Sequence, residues 1–258
     1  MPNLRQLISL KEKYDTLNVF DVKVKKYIDK GLLENIAIKK AFSFNVQKIY
    51  ESFDVSNAIP SLIDYFESKP TEEVVLLFID IASFSIITDK NSNNFITNYL
   101  DNYYKKLFPI IYSYGGQIEK TMGDGIICVF GKPFVDLDWT EEFNRAELCA
   151  KEIIETFKGT NKEVKVALHS GQITYYKTPG TDYEEYTMIG KPLTELYRLE
   201  SVSRKNAINF YKDSLYDGIR PTNSLGISKI DKNEVKIYGF DVSLQGVEYE
   251  RVHFLKII

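Results

Sequence analysis

Hydrophobic positions along this chain alternate between the period of a strand and that of a helix. From Val74 to Ile81 the order Val-Val-Leu-Leu-Phe-Ile-Asp-Ile is a nearly continuous apolar run, as expected of a central strand covered on both faces. Asp80, inside that run, is the anomaly. Phe95, Tyr99, Tyr103, Leu107, Ile110, Ile111 and Tyr114 then recur at helical spacing. They predict one amphipathic helix over residues 92 to 114, stopped by Gly115-Gly116 and open to a kink at Pro109. Gln117 to Thr121 and Ile126 to Phe130 predict two short strands around Gly123-Asp124-Gly125. The Asp-Gly pair is a strong hairpin signal, and the hairpin tip is expected to be exposed.

Phe143, Ala146, Ala150, Ile153 and Phe157 predict a second helix, and Val164 to Tyr176 a long strand running into the turn-rich segment Thr178 to Asp182. A third helix is expected to begin near Pro192, with further strands at Ala207 to Tyr211, Val235 to Phe240 and Glu248 to Leu255. Strand, helix, hairpin, helix, strand, helix, strand is an α+β order. It is similar to the ferredoxin-like split βαβ arrangement, with helices packed on a mostly antiparallel sheet.

Residues 1–70 form a separate piece. They are Lys-rich, with Ile59, Leu62, Ile63 and Phe66 spaced as on one helix face after a plausible N-cap at Ser56. Lys69-Pro70-Thr71 ends this piece, because the residue before proline is pushed out of the helical region. The expected division is a helical N-terminal extension over 1–70 and one larger α+β domain over 71–258.

Composition narrows the class. The chain has 258 residues, 44% hydrophobic and 27% charged, with a net charge of −3, so it can bury a core and carries no basic field for nucleic acid or membrane surfaces. Any anionic ligand must be held by a local site. Cys128 and Cys149 lack a Cys-x-x-Cys spacing and read as buried free thiols. Met1 to Lys13 lacks the apolar core of a signal peptide, and no apolar run approaches the roughly 18 to 20 residues of a membrane span. A cytoplasmic protein with no direct membrane insertion is expected.

The chemistry centres on two aspartates. A carboxylate ending a buried strand (Asp80) and another at a glycine-flanked hairpin tip (Asp124) are suited to converge on a divalent cation, because the hairpin lies beside the first strand. Spacing alone leaves ordinary alternatives open, with Asp80 capping a loop and Asp124 forming a turn. The surrounding letters change this. Phe78-Ile-Asp80-Ile-Ala-Ser-Phe84-Ser85, Tyr114-Gly-Gly-Gln-Ile-Glu-Lys120-Thr-Met-Gly123-Asp124-Gly125 and Val129-Phe-Gly131-Lys-Pro133 resemble, in order and spacing, the signature of class III nucleotidyl cyclases. Leu168-His169-Ser-Gly171 and Tyr186-Thr187-Met-Ile-Gly190-Lys-Pro-Leu-Thr194-Glu-Leu-Tyr-Arg198-Leu-Glu200 are similar to that family's later blocks. The resemblance covers residues 72 to 258.

That resemblance implies a homodimer with composite active sites, in which a nucleoside triphosphate substrate is closed to a cyclic 3′,5′-monophosphate with loss of pyrophosphate. Asp80, Asp124 and the Ile81 carbonyl of one subunit are expected to hold two Mg²⁺ or Mn²⁺ ions, which activate the ribose 3′-hydroxyl and neutralise the triphosphate. The backbone amides of Ile81, Ala82, Ser83, Phe84 and Ser85 are placed for phosphate oxygens. The other subunit is expected to supply Lys120 and Thr187 to the base, Thr194 to the ribose and Arg198 to charge developing at the α-phosphate. Thr194 and Arg198 lie four residues apart and share a helix face. The bland alternative for Arg198 is a surface salt bridge.

Two departures from the family pattern bear on the substrate. Thr194 stands where an asparagine is usual, and a threonine hydroxyl is shorter with a single donor. The family's late lysine before a glycine is replaced in Lys236-Ile-Tyr238-Gly239, where Lys236 is a candidate substitute. Lys120 and Thr187 match the pair that many bacterial adenylyl cyclases use, which points to ATP and cyclic AMP. The departures, the wording of the blocks and the short extension instead resemble the stand-alone pyrimidine cyclases of bacterial antiphage signalling (Pycsar), which make cyclic UMP or cyclic CMP for a separate effector protein. The reading leans that way. Phe44, Tyr50 and Phe53 are candidates for filling the space of a purine, against an ordinary core role. A catalytically inactive nucleotide-binding module is disfavoured because both aspartates and Arg198 are present, and a diguanylate-forming domain because its hairpin motif is absent.

Overall fold

The computed structural model describes residue 10 and residues 65–177, 186–220, 226–230 and 233–257. The expectations for Ser56, Ile59, Leu62, Ile63, Phe44, Tyr50, Phe53 and the Thr178 to Asp182 turn lie outside the described residues.

The Val74 to Ile81 run forms the middle of β1 (Thr71–Ile81). Its even and odd positions feed two different cores. Val75, Leu77, Ile79 and Ile81 face one side, and Val74, Leu76 and Phe78 face the other, which is why the run needs no polar alternation. After a short helix α1 (Phe84–Lys90), the long helix α2 (Asn93–Ser113) begins with the Ser92 side chain accepting from the Phe95 amide. Pro109 lies within this helix. The hairpin follows as β2 (Gln117–Met122) and β3 (Gly125–Phe130), then α3 (Trp139–Phe157), capped by the Asp138 carboxylate, and β4 (Val164–Lys177).

These strands order β2-β3-β1-β4, each pair antiparallel, which is the expected split βαβ arrangement. Helices α2 and α3 cover the first face, where Tyr103, Leu107, Phe143, Cys149 and Ile153 pack on the odd residues of β1. Cys128 and Cys149 are both buried free thiols.

The sheet continues beyond β4. β5 (Tyr186–Ile189) folds back on β4, and α4 (Lys191–Val202) packs Leu196 and Leu199 on the second face. β6 (Ala207–Tyr211) joins β4 in parallel. After α5 (Leu215–Ile219), β7 (Ile227–Ile230), β8 (Asn233–Asp241) and β9 (Arg251–Lys256) complete the order β6-β9-β8-β7. The close approach of α4 to β4 depends on two glycines. At Gly171 (φ +149) a Cβ would stand 2.7 Å from Pro192, and at Gly190 (φ +157) 2.8 Å from the Gln172 carbonyl oxygen.

Before β1, Lys69 takes a left-handed conformation (φ 50), so the chain turns sharply at Lys69-Pro70. Phe66 is fully buried and meets Tyr175 edge-on with ring centroids 5.1 Å apart. Among the described residues no helix is long and apolar enough to cross a membrane.

Candidate functional site

Asp80 is the one β1 residue of the second face that is not apolar between Val74 and Asp80. It lies past Phe78 at the end of the strand, and its side chain keeps 20% exposure. Asp124 reaches it from the hairpin. Met122 and Gly125 close the hairpin, with Gly123 at φ 63, and Tyr104 of α2 donates its hydroxyl hydrogen to the Gly123 carbonyl, tying the turn to the helix.

The two carboxyl groups are hydrogen-bonded to each other, and the Ile81 amide and the Asp124 amide both donate to Asp124. Burial, with the Asp80 charge added, pushes the Asp124 carboxyl up to about 7. The Asp80 contribution is the repulsion between two like charges held this close. Asp124 is half-buried rather than exposed as the hairpin pattern suggested, because its carboxyl turns back toward Asp80 and Ile81. A paired, half-buried carboxylate set of this kind fits a hard divalent cation such as Mg²⁺ or Mn²⁺.

A third charged group enters from β4. Lys165 is the cross-strand partner of Asp80, its ammonium 3.0 Å from the carboxylate, and it also pairs with Glu200 of α4. Burial works against the Lys165 charge, but the Glu200 and Asp80 carboxylates outweigh it and raise its pKa above the ordinary lysine value. The sequence pattern did not single out Lys165, because Val-Lys-Val reads as plain strand alternation. Its role emerges only from the register of β4 on β1.

The amides of Ile81 and Ala82 are engaged within the chain, the first by Asp124 and the second by the Glu163 carbonyl at 2.8 Å. Ser83, Phe84 and Ser85 head the seven-residue α1, with Ser83 at φ 63.

The remaining predicted residues do not join this cluster. Lys120, Thr194 and Arg198 are exposed and Thr187 is half-buried, and among the described residues none of their side chains has a hydrogen bond or ion pair. Lys120 owes its direction to a bulge. Ile118 pairs with Cys128, but Lys120 pairs with Ile127, leaving Glu119 as the extra residue. The bulge reverses the alternation. Ile118 therefore enters the first core with Cys128, and Lys120 emerges on the second face, beside Ile127. Thr187 lies opposite Tyr176, far along β4 from Lys165. Thr194 and Arg198 fall on the exposed stripe of α4, opposite the buried Leu196 and Leu199. The Lys236 ammonium sits over the Tyr238 ring, 5.5 Å from its centroid, so the two side chains share a face of β8.

A split βαβ sheet with paired aspartates at the end of β1 and the β2–β3 turn, and with Lys120, Thr194 and Arg198 uncommitted among the described residues, is the arrangement of a nucleotidyl cyclase catalytic domain. The chain belongs to the adenylate and guanylate cyclase catalytic domain family, whose model matches residues 66–254. It is 21% identical over 140 residues to adenylate cyclase 1 of Rhizobium meliloti (strain 1021), covering 52% of this chain and 21% of that protein. It is 23% identical over 219 residues to the adenylate cyclase of Anabaena cylindrica, covering 78% of this chain and 43% of that one. The chain thus spans less than half the length of these curated relatives. Among solved structures, the adenylyl cyclase CyaB from P. aeruginosa superposes with a TM-score of 0.60 at 20% identity, over 74% of this chain and 96% of that chain. The guanylate cyclase domain of RhGC from Catenaria anguillulae in complex with GTP superposes with a TM-score of 0.58 at 22% identity, over 72% and 98%. At these identities the structural likeness establishes the fold.

Proposed function

We propose that this chain converts a nucleoside triphosphate to a cyclic 3′,5′-nucleoside monophosphate and pyrophosphate. The observation that carries the reading is the hydrogen-bonded pair Asp80–Asp124, on the same side of the sheet as Lys120, Thr194 and Arg198, whose side chains have no hydrogen bond or ion pair among the described residues. In this reading Asp80, Asp124 and the Ile81 carbonyl hold two Mg²⁺ or Mn²⁺ ions, which when bound supply Lewis acidity to the ribose 3′-hydroxyl and charge neutralisation to the triphosphate. Lys165, released from Asp80 and still paired with Glu200, turns to meet phosphate oxygens, beside the amides of Ser83, Phe84 and Ser85. Arg198 stabilises charge developing on the α-phosphate, and Thr194 orients the ribose.

Within one chain Thr194 and Arg198 make no contact with the aspartates, which supports a homodimer in which each site takes Asp80 and Asp124 from one subunit and Lys120, Thr187, Thr194 and Arg198 from its partner. The substrate in our reading is UTP or CTP, and the product a cyclic pyrimidine nucleotide read by a separate effector protein in bacterial antiphage defence. Thr194 and the Tyr238 replacement support it. The second reading is an adenylate cyclase making cyclic AMP, favoured by the Lys120 and Thr187 pair.

The test is to incubate the purified chain with Mn²⁺ and ATP, GTP, CTP or UTP separately and identify products by mass spectrometry, with Asp124→Ala as control. Cyclic UMP or cyclic CMP supports the first reading, and cyclic AMP the second. No cyclic product from any triphosphate overturns both.

A further inference from the structure

Tyr197 is among the large apolar side chains left exposed, at 39%, and its position is unlike that of the others. It follows Thr194 by three residues and precedes Arg198 by one, so the three share the open stripe of α4. Its ring nevertheless has two partners within the chain. It stands edge-on to Phe78 at 5.4 Å and 88°, and its hydroxyl donates to the Met122 sulfur at 3.5 Å. Phe78 lies two residues before Asp80 on the same strand face, and Met122 two residues beyond Lys120 on the same face of β2. The ring thus bridges α4 and the β2–β3 hairpin, held from both sides with one flank open.

We propose that Tyr197 is a specificity-determining residue, its ring forming a wall of the nucleobase pocket that one pyrimidine ring fills and that the second ring of a purine strikes. The inference rests on the cyclase reading above. A substrate whose α-phosphate meets Arg198, whose ribose meets Thr194 and whose base meets Lys120 must run from α4 to β2, and Tyr197 spans that gap. The Phe78 ring beside it and the Met122 sulfur at its hydroxyl both oppose withdrawal of the ring. An aromatic face so held offers stacking to any base, but such a wall also sets the depth available, and depth separates one ring from two. A pocket discriminates by such shape differences when the wall does not yield.

The experiment compares the full chain with Tyr197→Phe and Tyr197→Ala. It measures kcat and KM for UTP, CTP, ATP and GTP with Mn²⁺, and in parallel equilibrium binding of the α,β-methylene analogues of UTP and ATP. Melting temperature and Mn²⁺ binding without nucleotide serve as controls for the fold. Tyr197→Ala is expected to lower the pyrimidine-to-purine ratio of kcat/KM about tenfold, largely through KM, while Tyr197→Phe stays within about threefold of wild type. A purely structural Tyr197 would instead depress all four triphosphates alike, and that result overturns the proposal. So does a wild type that prefers ATP, or a Tyr197→Ala ratio equal to wild type. In those cases cyclisation by wild type leaves the cyclase reading standing. A wild type that neither binds nor converts any triphosphate overturns that reading and this inference together.

Discussion

The Lys165 ammonium stands 3.0 Å from an Asp80 carboxylate oxygen, and the two residues face each other across the β1–β4 ladder. With no metal bound, the lysine supplies the positive charge that the aspartate pair needs. Lys165→Met should therefore destabilise the metal-free protein by about 2 kcal/mol, since it leaves Asp80 and Glu200 without their shared cation. Mn²⁺ should then raise the melting temperature of the variant by more than it raises that of wild type. Thermal melts in EDTA and in Mn²⁺ check both statements, and equal Mn²⁺ shifts would show that Lys165 does not compete for the site.

Composite sites make a second expectation, because the aspartates and Arg198 are then drawn from different subunits. Asp124→Ala and Arg198→Ala should each be nearly inactive alone. An equimolar mixture should regain roughly a quarter of wild-type specific activity, as half of the dimers carry one intact site. A mixture no more active than its components would place both residues in the same subunit's site.

Stability should also depend on pH through Glu142. Burial, with Asp136 and Asp138 nearby, pushes its carboxyl from the ordinary glutamate value up to about 8. The native state then holds a proton that the unfolded chain releases above its own, lower pKa. The stabilisation is complete below the unfolded value and is lost as pH rises toward 8. Glu142→Gln should remove this loss, so its melting temperature should gain on wild type between pH 5 and pH 9. Parallel curves for the two proteins would refute the assignment.

The buried pair His169–Glu195, 3.0 Å apart, joins β4 to α4 one residue from Thr194. Tyr211 adds a hydrogen bond from its hydroxyl to the Glu195 carbonyl at 2.8 Å. Glu195→Leu strands the imidazole and should cost about 2 kcal/mol of stability. Because the helix also carries Arg198, kcat should fall while Mn²⁺ binding is unchanged. Calorimetry and steady-state kinetics separate the two effects.

The parts of this fold that showed in the sequence are those whose burial is strong and local. The β1 run was plain because both faces are covered, and Asp80 was conspicuous because a carboxylate in such a run has no ordinary reason to be there. Helix α1 gave no signal because none of its residues is buried, so it has no apolar stripe. β5 and β7 are four residues each, too short for a period to register. Lys165 and Tyr197 were passed over for a different reason. Their importance comes from register and from packing between distant segments, Lys165 meeting Asp80 through the β1–β4 ladder and Tyr197 meeting Met122 across 75 positions of sequence. Neither relation leaves a mark in the local letters.

The extra residue at Glu119 in β2 acts as a phase shift. Upstream of it the strand is in step with one side of the sheet, and from Lys120 onward it is in step with the other. Substitution at Lys120 or Met122 changes what the open face presents without disturbing that phase. Loss of Glu119 alone would leave Ile118 opposite Cys128 and Lys120 opposite Ile127, so the bulge absorbs one residue without turning either side chain over. In this hairpin, ligand preference can drift by replacement of letters, while pairing with β3 holds the facing of the strand.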